Sequence, residues 1–236
     1  MVMKFRDLAN VTLDRLGRMG LAARLGLQVG AKLTHGYQPN PFVSPPQPDP
    51  RDCQGRFDAA MTILGDMECP SVLDVGCNQG YFTFRFARKG GICLGMDNDR
   101  GELMVARARA ELHKVRNAAF LELAIDPGNL AGLPRSDIVV CLSIFHHWVR
   151  HFGRETACGM LSLLATRADK AMIFDSGQPE EKATRWASEL EFMQPDGATW
   201  IAQYLRCLGF ERIHAAGLFS TSLSPVPRTL FVACRV

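Results

Sequence analysis

The sequence predicts an α/β domain with a Rossmann-like, doubly wound and mostly parallel sheet that ends in a C-terminal antiparallel hairpin. Strand-like and helical segments alternate from residue 51 to residue 208. The strand-like runs are continuously apolar, which is typical of a parallel sheet covered by helices on both faces. The last two runs, 212–219 and 229–235, are joined by a short connection, which favours antiparallel pairing at one edge.

Each helix and strand of this alternation has a local signal. Gly90 and Gly91 end the helix predicted over 81–89, and Gly209 ends the one over 198–208. A stretch rich in Ala, Arg and Leu has high helix propensity over 102–115. Further helices are predicted at 56–66, 155–167 and 184–193. Buried strands are predicted at 71–75, 92–97, 119–125, 137–143 and 170–176.

The first 50 residues differ from the domain predicted over 51–236. Residues 1–36 hold six cations and two anions, and their apolar residues recur at helical spacing. This pattern predicts a basic amphipathic helix, which either packs as a cap over the domain or rests on an anionic membrane face or a partner. Six of the thirteen prolines fall between Pro39 and Pro50. Residues 37–50 are therefore predicted to be an extended linker or lid.

Composition narrows the class of protein. The chain has 236 residues and a formal charge of +3, too small an excess for a dedicated nucleic-acid binder. Its apolar runs are far shorter than the ~20 residues that span a bilayer. The eight cysteines stand apart without a C-x-x-C pair, so they are interpreted as buried apolar residues in a reducing compartment, and no metal site is predicted. We expect a cytoplasmic protein, which the basic helix could hold at the inner face of the membrane.

The stretch SVLDVGCNQGYF, residues 71–82, is the most informative motif. A buried strand ends at Asp74 and Val75, and a tight turn from Gly76 to Gly80 leads into a helix. Glycine permits positive φ and a close approach of ligand to backbone, and the helix N-terminus offers unpaired N–H groups. Asp97 ends the next strand, where a carboxylate can bind ribose hydroxyls. The pattern predicts a nucleotide-cofactor site at this sheet edge.

The glycine spacing argues against a nicotinamide dehydrogenase. That fingerprint is G-x-G-x-x-G, whereas this turn has Asn78 at the middle position, a residue that tolerates the left-handed conformation. An acidic residue before the turn, Asp74, suits a cationic ligand better than a pyrophosphate.

LDVGCNQG followed by GMD resembles the first two motifs of class I S-adenosylmethionine-dependent methyltransferases. The resemblance implies S-adenosyl-L-methionine as cofactor and a parallel sheet with a terminal antiparallel hairpin. It further implies that Asp97 holds the ribose and that Asp126 faces the adenine. The methionine part would contact the turn that follows the first strand, formed by Asp74, Gly76, Cys77, Asn78 and Gly80.

Four further segments carry a narrower resemblance: RDCQGRFD (51–58), CNQGYF (77–82), LSIFHHWVRHFG (142–153) and LSPVPR (223–228). They resemble the methyltransferase domain of bacterial enzymes that terminate O-antigen polysaccharide chains. In that family a kinase accompanies the methyltransferase, and the methyl group goes to a terminal sugar phosphate. The resemblance runs from about residue 49 to the C-terminus.

The fourth strand is followed by candidate acceptor residues. Ser143 lies where the sulfonium is expected, and His146, His147 and Arg150 come next. A hydroxyl acceptor needs a general base, whereas a phosphate or carboxylate acceptor needs only cations. The two adjacent histidines point in different directions in either a strand or a helix. We favour His147 for acceptor contact, and each histidine alone could instead be structural.

Three other residues have two interpretations each. Arg228 in LSPVPR could bind an anionic acceptor or lie in solvent on the hairpin. Arg56, together with Arg51, could reach the cofactor carboxylate or belong to a solvated helix face. Asp175, which ends the fifth strand, could be a base or a helix cap.

The sequence thus predicts a methyltransferase that acts on an oxygen of a saccharide, sugar phosphate or other small molecule. A small-metabolite or RNA-end methyltransferase, or a cofactor-binding regulatory subunit without catalysis, are the alternatives.

Overall fold

The computed structural model describes residues 37–43 and 48–236, so the helix predicted within 1–36 lies outside the described residues. Seven strands form the sheet: β1 (Ser71–Val75), β2 (Ile92–Asp97), β3 (Ala118–Glu122), β4 (Ser136–Leu142), β5 (Ala168–Asp175), β6 (Arg212–Phe219) and β7 (Arg228–Cys234). Within the described residues, six α-helices accompany them: α1 (Cys53–Leu64), α2 (Tyr81–Arg88), α3 (Arg100–Leu112), α4 (Phe145–Phe152), α5 (Arg154–Ala165) and α6 (Gly197–Cys207).

The strand order is β3-β2-β1-β4-β5-β7-β6. The first five strands pair in parallel, and β7 inserts antiparallel between β5 and β6. This order confirms the predicted doubly wound sheet with a C-terminal hairpin. Because the order reverses between β1 and β4, their carboxyl ends flank the crevice in which open parallel sheets bind ligands.

The core is divided between the two faces of the sheet. Leu73 and Val75 of β1 belong to the cluster that also contains residues of α4, α5 and α6. Val72 belongs to the opposite cluster, with residues of α1 and α2. Successive side chains of a strand point to opposite faces, so the apolar residues of β1 supply both clusters.

Most predicted elements are present, with ends shifted by a few residues. The helix predicted over 184–193 is wrong, because this segment forms only a short 3₁₀ turn at Ala187–Leu190. Conversely, α4 had not been predicted as a helix. Two cysteines depart from the expected burial: Cys69, in the turn before β1, and Cys207, at the end of α6, are exposed, and all eight thiols are free.

The described part of the proline-rich segment, 37–43 and 48–50, forms neither helix nor strand. The amide oxygen of Gln38 accepts the backbone N–H of Tyr81 at 3.0 Å, and the Phe42 ring packs edge-on against Phe84. The segment therefore runs along α2 from its first turn toward its last. Among the residues described, no helix combines the length and apolarity needed to cross a bilayer.

Candidate functional site

A cavity of about 900 Å³ opens at the carboxyl ends of β1, β2 and β4. Its walls come from the turn after β1, the ends of β2 and β4, the segment after β3, helix α4, the start of α1 and the proline-rich segment. This is the edge at which the sequence predicted a nucleotide-cofactor site. Of the predicted cofactor residues, the cavity is lined by Arg56, Asp74, Gly76, Asn78, Asp97, Asp126 and Ser143.

The turn after β1 is held in an open, left-handed conformation. Gly76 has φ +75° and Asn78 has φ +52°, as the sequence had indicated for these two positions. The backbone N–H groups of Gly76 and Cys77 both donate to the carbonyl of Met96, at 2.8 and 2.9 Å. The N–H of Asn78 donates to Oδ2 of Asp97 at 2.8 Å. The turn is therefore fastened to the end of β2.

Asp74 connects β1 to helix α2. Its Oδ2 accepts the backbone N–H and the hydroxyl of Thr83, at 3.1 and 2.6 Å. Burial raises the pKa of Asp74 to about 7, because the hydrogen bonds from Thr83 only partly offset the loss of solvation. This carboxyl group thus fixes the first turn of α2 and lines the cavity with its remaining surface.

Two further carboxylates lie along the same wall. Asp97 accepts the N–H of Asp99 through Oδ1 at 2.8 Å, and burial raises its pKa. Asp126 accepts the N–H groups of Gly128 and Asn129 through Oδ1, at 2.8 and 3.0 Å, which closes a turn after β3. Backbone N–H groups thus hold both side chains and fix the direction in which each carboxylate faces the cavity.

A buried polar cluster lies at the ends of β4 and β5. Ser143, with φ +60°, donates its N–H to Oδ1 of Asp175 at 2.7 Å, and its hydroxyl lies 3.0 Å from the same oxygen. Asp175 also forms a buried ion pair with Arg56. Burial alone would raise the pKa of Asp175, but Arg56, Arg228 and Arg51 lower it below its usual value. Asp175 is thus neither a free base nor a helix cap.

Arg51 adds a guanidinium to this cluster and faces the cavity. Its Nη2 donates to Oγ of Ser143 at 2.9 Å, and its carbon Cζ lies 4.1 Å from the centre of the Tyr37 ring. Only 6% of the residue is exposed, yet its Nη1 has no hydrogen-bond partner among the described residues. Burial lowers the pKa of Arg51 to about 10, so it remains charged at neutral pH. A buried cation with a free donor calls for an anionic ligand.

Helix α4 places its two adjacent histidines in different surroundings. His147 is exposed and lines the cavity, together with Arg150. Desolvation by the surrounding cavity wall, then Arg228, Arg150 and Arg51, lower the pKa of His147, which favours the neutral imidazole. His146 is 2% exposed, stands outside the cavity wall, and accepts the N–H of Gly177 through Nδ1 at 2.9 Å. The structure therefore gives His146 a packing position, the structural alternative that the sequence had left open, and not the acceptor contact for which it was the second candidate.

Three other predicted site residues also lie outside the cavity wall. Arg228 is buried and forms an ion pair with Glu181, so neither the predicted direct contact with an acceptor nor the solvent alternative matches its position. Cys77 is buried beneath the turn. Gly80 has φ +80° and begins α2, where a Cβ would lie 2.6 Å from the Phe120 ring. These two residues shape the turn from behind.

Several residues of the site had no signal in the sequence. Tyr37 and Gln38 enter the cavity wall because the proline-rich segment folds back over α2. The side chain of Ile144 covers Gly76, where a Cβ would lie 2.2 Å from Cδ1 of Ile144. Glu181, fully buried, lies between the strand predicted at 170–176 and the helix predicted at 184–193. Each depends on contacts between residues far apart in the chain.

Comparison with known proteins identifies the class. A methyltransferase-domain family model matches residues 73–166. The chain is 31% identical over 189 residues to the O-antigen chain terminator bifunctional methyltransferase/kinase WbdD of Escherichia coli. This alignment covers 77% of this chain and 25% of that protein. It is 33% identical over 106 residues to a ubiquinone biosynthesis O-methyltransferase of Alkalilimnicola ehrlichii, 45% of this chain and 42% of the relative.

Solved structures agree with this assignment. A structure of the bifunctional kinase-methyltransferase WbdD superposes with a TM-score of 0.69 at 28% identity, over 88% of this chain and 45% of that one. A magnesium protoporphyrin IX methyltransferase from Synechocystis, solved with bound S-adenosylmethionine, has the same fold, with a TM-score of 0.56 at 23% identity over 78% of this chain and 81% of that one. The chain belongs to the class I S-adenosylmethionine-dependent methyltransferases. It spans about a quarter of the length of the WbdD relative.

S-adenosylmethionine is therefore the cofactor, and the cavity fits its chemistry. The compound carries a cationic sulfonium, an ammonium group, ribose hydroxyls and a carboxylate. The acidic wall of Asp74, Asp97 and Asp126 is complementary to the first three groups. The partnerless Nη1 of Arg51 is complementary to the carboxylate.

Proposed function

We propose that this protein transfers a methyl group from S-adenosylmethionine to an oxygen of a saccharide or phosphorylated saccharide, in the cytoplasm and as part of surface polysaccharide biosynthesis. Two relatives support this proposal, since one is an O-antigen chain terminator and the other is an O-methyltransferase. The fold by itself does not determine the acceptor, so the acceptor is inferred from the side chains at the acceptor end of the cavity.

One half of the cavity would hold the cofactor. Asp97 would bind the ribose hydroxyls, Asp126 would face the adenine, and the turn of Asp74, Gly76 and Asn78 would line the methionine part. Arg51 would bind the cofactor carboxylate through Nη1. Arg56 supports it from behind, because its own donors are used by the carbonyls of Arg51 and Ser220 and by Asp175.

The acceptor half is lined by basic side chains of α4. They include His147, Arg150 and His151, and none of the α4 residues that line the cavity is a carboxylate. Arg150 lies 3.8 Å from Glu189, with both side chains about 40% exposed, so this ion pair is weak and opens at low cost. The single observation that favours an anionic, phosphate-bearing acceptor is the guanidinium of Arg150, which lines the cavity and is held only by this weak ion pair.

The bound cofactor supplies an electrophilic methyl group on a positively charged sulfur. As the acceptor oxygen bonds to that carbon, the sulfur–carbon bond breaks and S-adenosylhomocysteine leaves. A phosphate oxygen needs only to be held in line, a task for Arg150. A hydroxyl must lose its proton, and the neutral imidazole of His147 is placed to accept it.

The test is a labelled-methyl assay on the purified chain with matched pairs of free sugars and sugar phosphates. With a phosphate acceptor, Arg150→Ala should raise KM at least tenfold while His147→Ala retains most of kcat. With a hydroxyl acceptor, His147→Ala should lower kcat by about 10²–10⁴ and remove the limb of the pH profile that it controls. Arg154→Ala is the matched control, because Arg154 is exposed nearby and does not line the cavity.

The same assay separates the alternatives. Transfer to an RNA end or to a small metabolite, and not to sugars or sugar phosphates, would replace the proposed acceptor. Tight S-adenosylhomocysteine binding without transfer to any of these acceptors would favour a regulatory subunit.

A further inference from the structure

A buried ion pair joins two segments behind the acceptor half of the cavity. Nε and Nη2 of Arg228, at the start of β7, donate to Oε1 and Oε2 of Glu181, each at 2.8 Å. The side chains are 1% and 0% exposed. Oε1 of Glu181 also accepts the N–H of Gln178 at 2.9 Å. The bidentate pair thus ties the segment after β5 to β7.

The pair reaches the site through Ser143. The remaining nitrogen of Arg228, Nη1, donates to Oγ of Ser143 at 3.0 Å. Ser143 has a left-handed backbone, a conformation that a non-glycine residue keeps only where its surroundings hold it. It precedes by two residues the start of α4, the helix that carries His147 and Arg150. Among the described residues no side chain caps this helix, so the way in which Ser143 is held affects the direction of its first turn.

We propose that Glu181 is a positioning residue for methyl transfer: it holds Arg228 against Ser143 and thereby sets the start of α4 and the place of His147 and Arg150. This inference rests on the proposed function, because it assigns the acceptor to α4. Glu181 touches neither the cavity nor the expected ligands. Its effect passes through Arg228 and Ser143.

Charge gives Glu181 a second effect on the site. Arg51, Arg56 and Arg228 are balanced in this cluster by two carboxylates, those of Asp175 and Glu181. The groups around His147 are His146 and Arg150 on its own helix, Trp186 on the facing segment, and the more distant Arg51 and Arg228. Glu189 lies beyond Arg150. Without the Glu181 charge, Arg228 would be an uncompensated buried cation that opposes protonation of His147.

The first experiment follows the histidine resonances of the full chain, saturated with S-adenosylhomocysteine, through a pH titration by NMR. Glu181→Gln should lower the pKa of His147, and Arg228→Gln should raise it. A structural role alone would not produce opposite directions from the two ends of one ion pair. Asp169→Asn is the control, because it breaks an exposed ion pair with Arg135 and should leave the His147 titration unchanged. Identical His147 titrations in wild type and both buried-pair variants would overturn the electrostatic part of the proposal.

The second experiment measures turnover. Glu181→Gln should lower kcat about tenfold to a hundredfold, since a small misplacement of a reacting group has effects of this size, while S-adenosylhomocysteine affinity stays within about twofold. If Glu181→Gln does not fold, the double variant Glu181→Leu/Arg228→Met removes the pair without leaving a buried charge. It should fold and show the same loss of kcat. Wild-type turnover in either folded variant would overturn the proposal, whereas an inactive wild type would contradict the proposed function instead.

Discussion

The backbone N–H of Asn78 donates to the Asp97 carboxylate at 2.8 Å, which joins the turn after β1 to the end of β2. The two parts of the cofactor motif, LDVGCNQG and GMD, are therefore one physical unit. Asp97 also accepts the N–H of Asp99, so its carboxylate is oriented from both sides. A single acidic side chain fixes the shape of the turn and presents its remaining acceptor capacity to the cavity.

Replacement of Asp97 should affect binding more than folding. We expect Asp97→Ala to weaken S-adenosylhomocysteine binding by about tenfold to a hundredfold, because hydrogen bonds to a charged group contribute about 1.5–3 kcal/mol. Isothermal titration calorimetry measures this loss. Glu122→Ala is the matched control, since Glu122 is the register partner of Asp97 on β3 but is exposed and outside the cavity wall. Equal affinities for the two variants would contradict the assignment.

A side chain at Gly76 should disturb both backbone and cavity. Gly76→Ala places a methyl group at φ +75° and 2.2 Å from Cδ1 of Ile144, which must swing away. We expect a loss of about 1–2 kcal/mol in the free energy of unfolding from the left-handed backbone, and weaker S-adenosylhomocysteine binding. Urea denaturation and calorimetry measure the two effects. Adding Ile144→Ala should restore part of the binding but not the stability.

Gly159 offers the opposite case and serves as the control. It lies inside α5, and a Cβ there would meet nothing within 4 Å. Gly159→Ala should therefore raise the free energy of unfolding by about 0.5–1 kcal/mol, because alanine favours the helix, and leave binding unchanged. A loss of stability in this variant would contradict the expected gain from the higher helix propensity of alanine.

The sheet and the cofactor turn could be predicted because their signals are local. Continuous apolar runs mark the five parallel strands, and Gly76, Asn78 and Asp97 lie in short segments whose residue types report their backbone. Helix α4 was missed because FHHWVRHF consists mainly of aromatic, histidine and β-branched residues, which favour a helix only weakly. Its helical state comes from burial of Phe145, Trp148 and Val149.

The network behind the acceptor could not be predicted from local patterns. Ser143 receives hydrogen bonds from Arg51 and Arg228, which are 92 and 85 positions away in the chain. Arg228 was noticed only for its flanking prolines, and Glu181 had no signal at all. The segment 184–193 looks helical in isolation, but the bond from Thr184 to the Glu181 carbonyl and the 3₁₀ turn after Trp186 give it another path.

Arg51 should discriminate ligands by their carboxylate. Arg51→Ala should weaken binding of S-adenosylhomocysteine by about tenfold to a hundredfold, because the partnerless Nη1 would lose a charge-assisted bond. Binding of 5′-methylthioadenosine, which lacks the amino-acid part, should change by less than about twofold. Calorimetry with both compounds gives the ratio, and Arg135→Ala, an exposed arginine at the opposite end of the sheet, is the control. Equal losses of affinity for both compounds would mean that Arg51 supports the fold of the site and does not bind the cofactor carboxylate.

His146 should make the protein less stable in acid. Burial, then Arg228, His147 and Arg51, lower the pKa of His146 well below its usual value near 6.5. Below pH 6.5 the unfolded chain therefore binds a proton that the folded chain refuses, so stability falls as pH falls. The usual pKa near 6.5 limits the loss between pH 7.5 and pH 5 to at most about 2 kcal/mol for this residue.

Other buried groups titrate in this range, and Asp74, with its raised pKa, contributes with the opposite sign. The measurement is therefore a difference: urea unfolding at pH 7.5 and pH 5 for wild type and His146→Gln. The variant should lose less stability in acid than wild type does, even if it is less stable at both values. His214→Gln, on the exposed strand β6, should follow the wild-type dependence. If His146→Gln follows it as well, the imidazole is protonated in the folded protein, and the hydrogen bond from the Gly177 N–H to its Nδ1 does not persist in solution, because a protonated ring has no acceptor nitrogen.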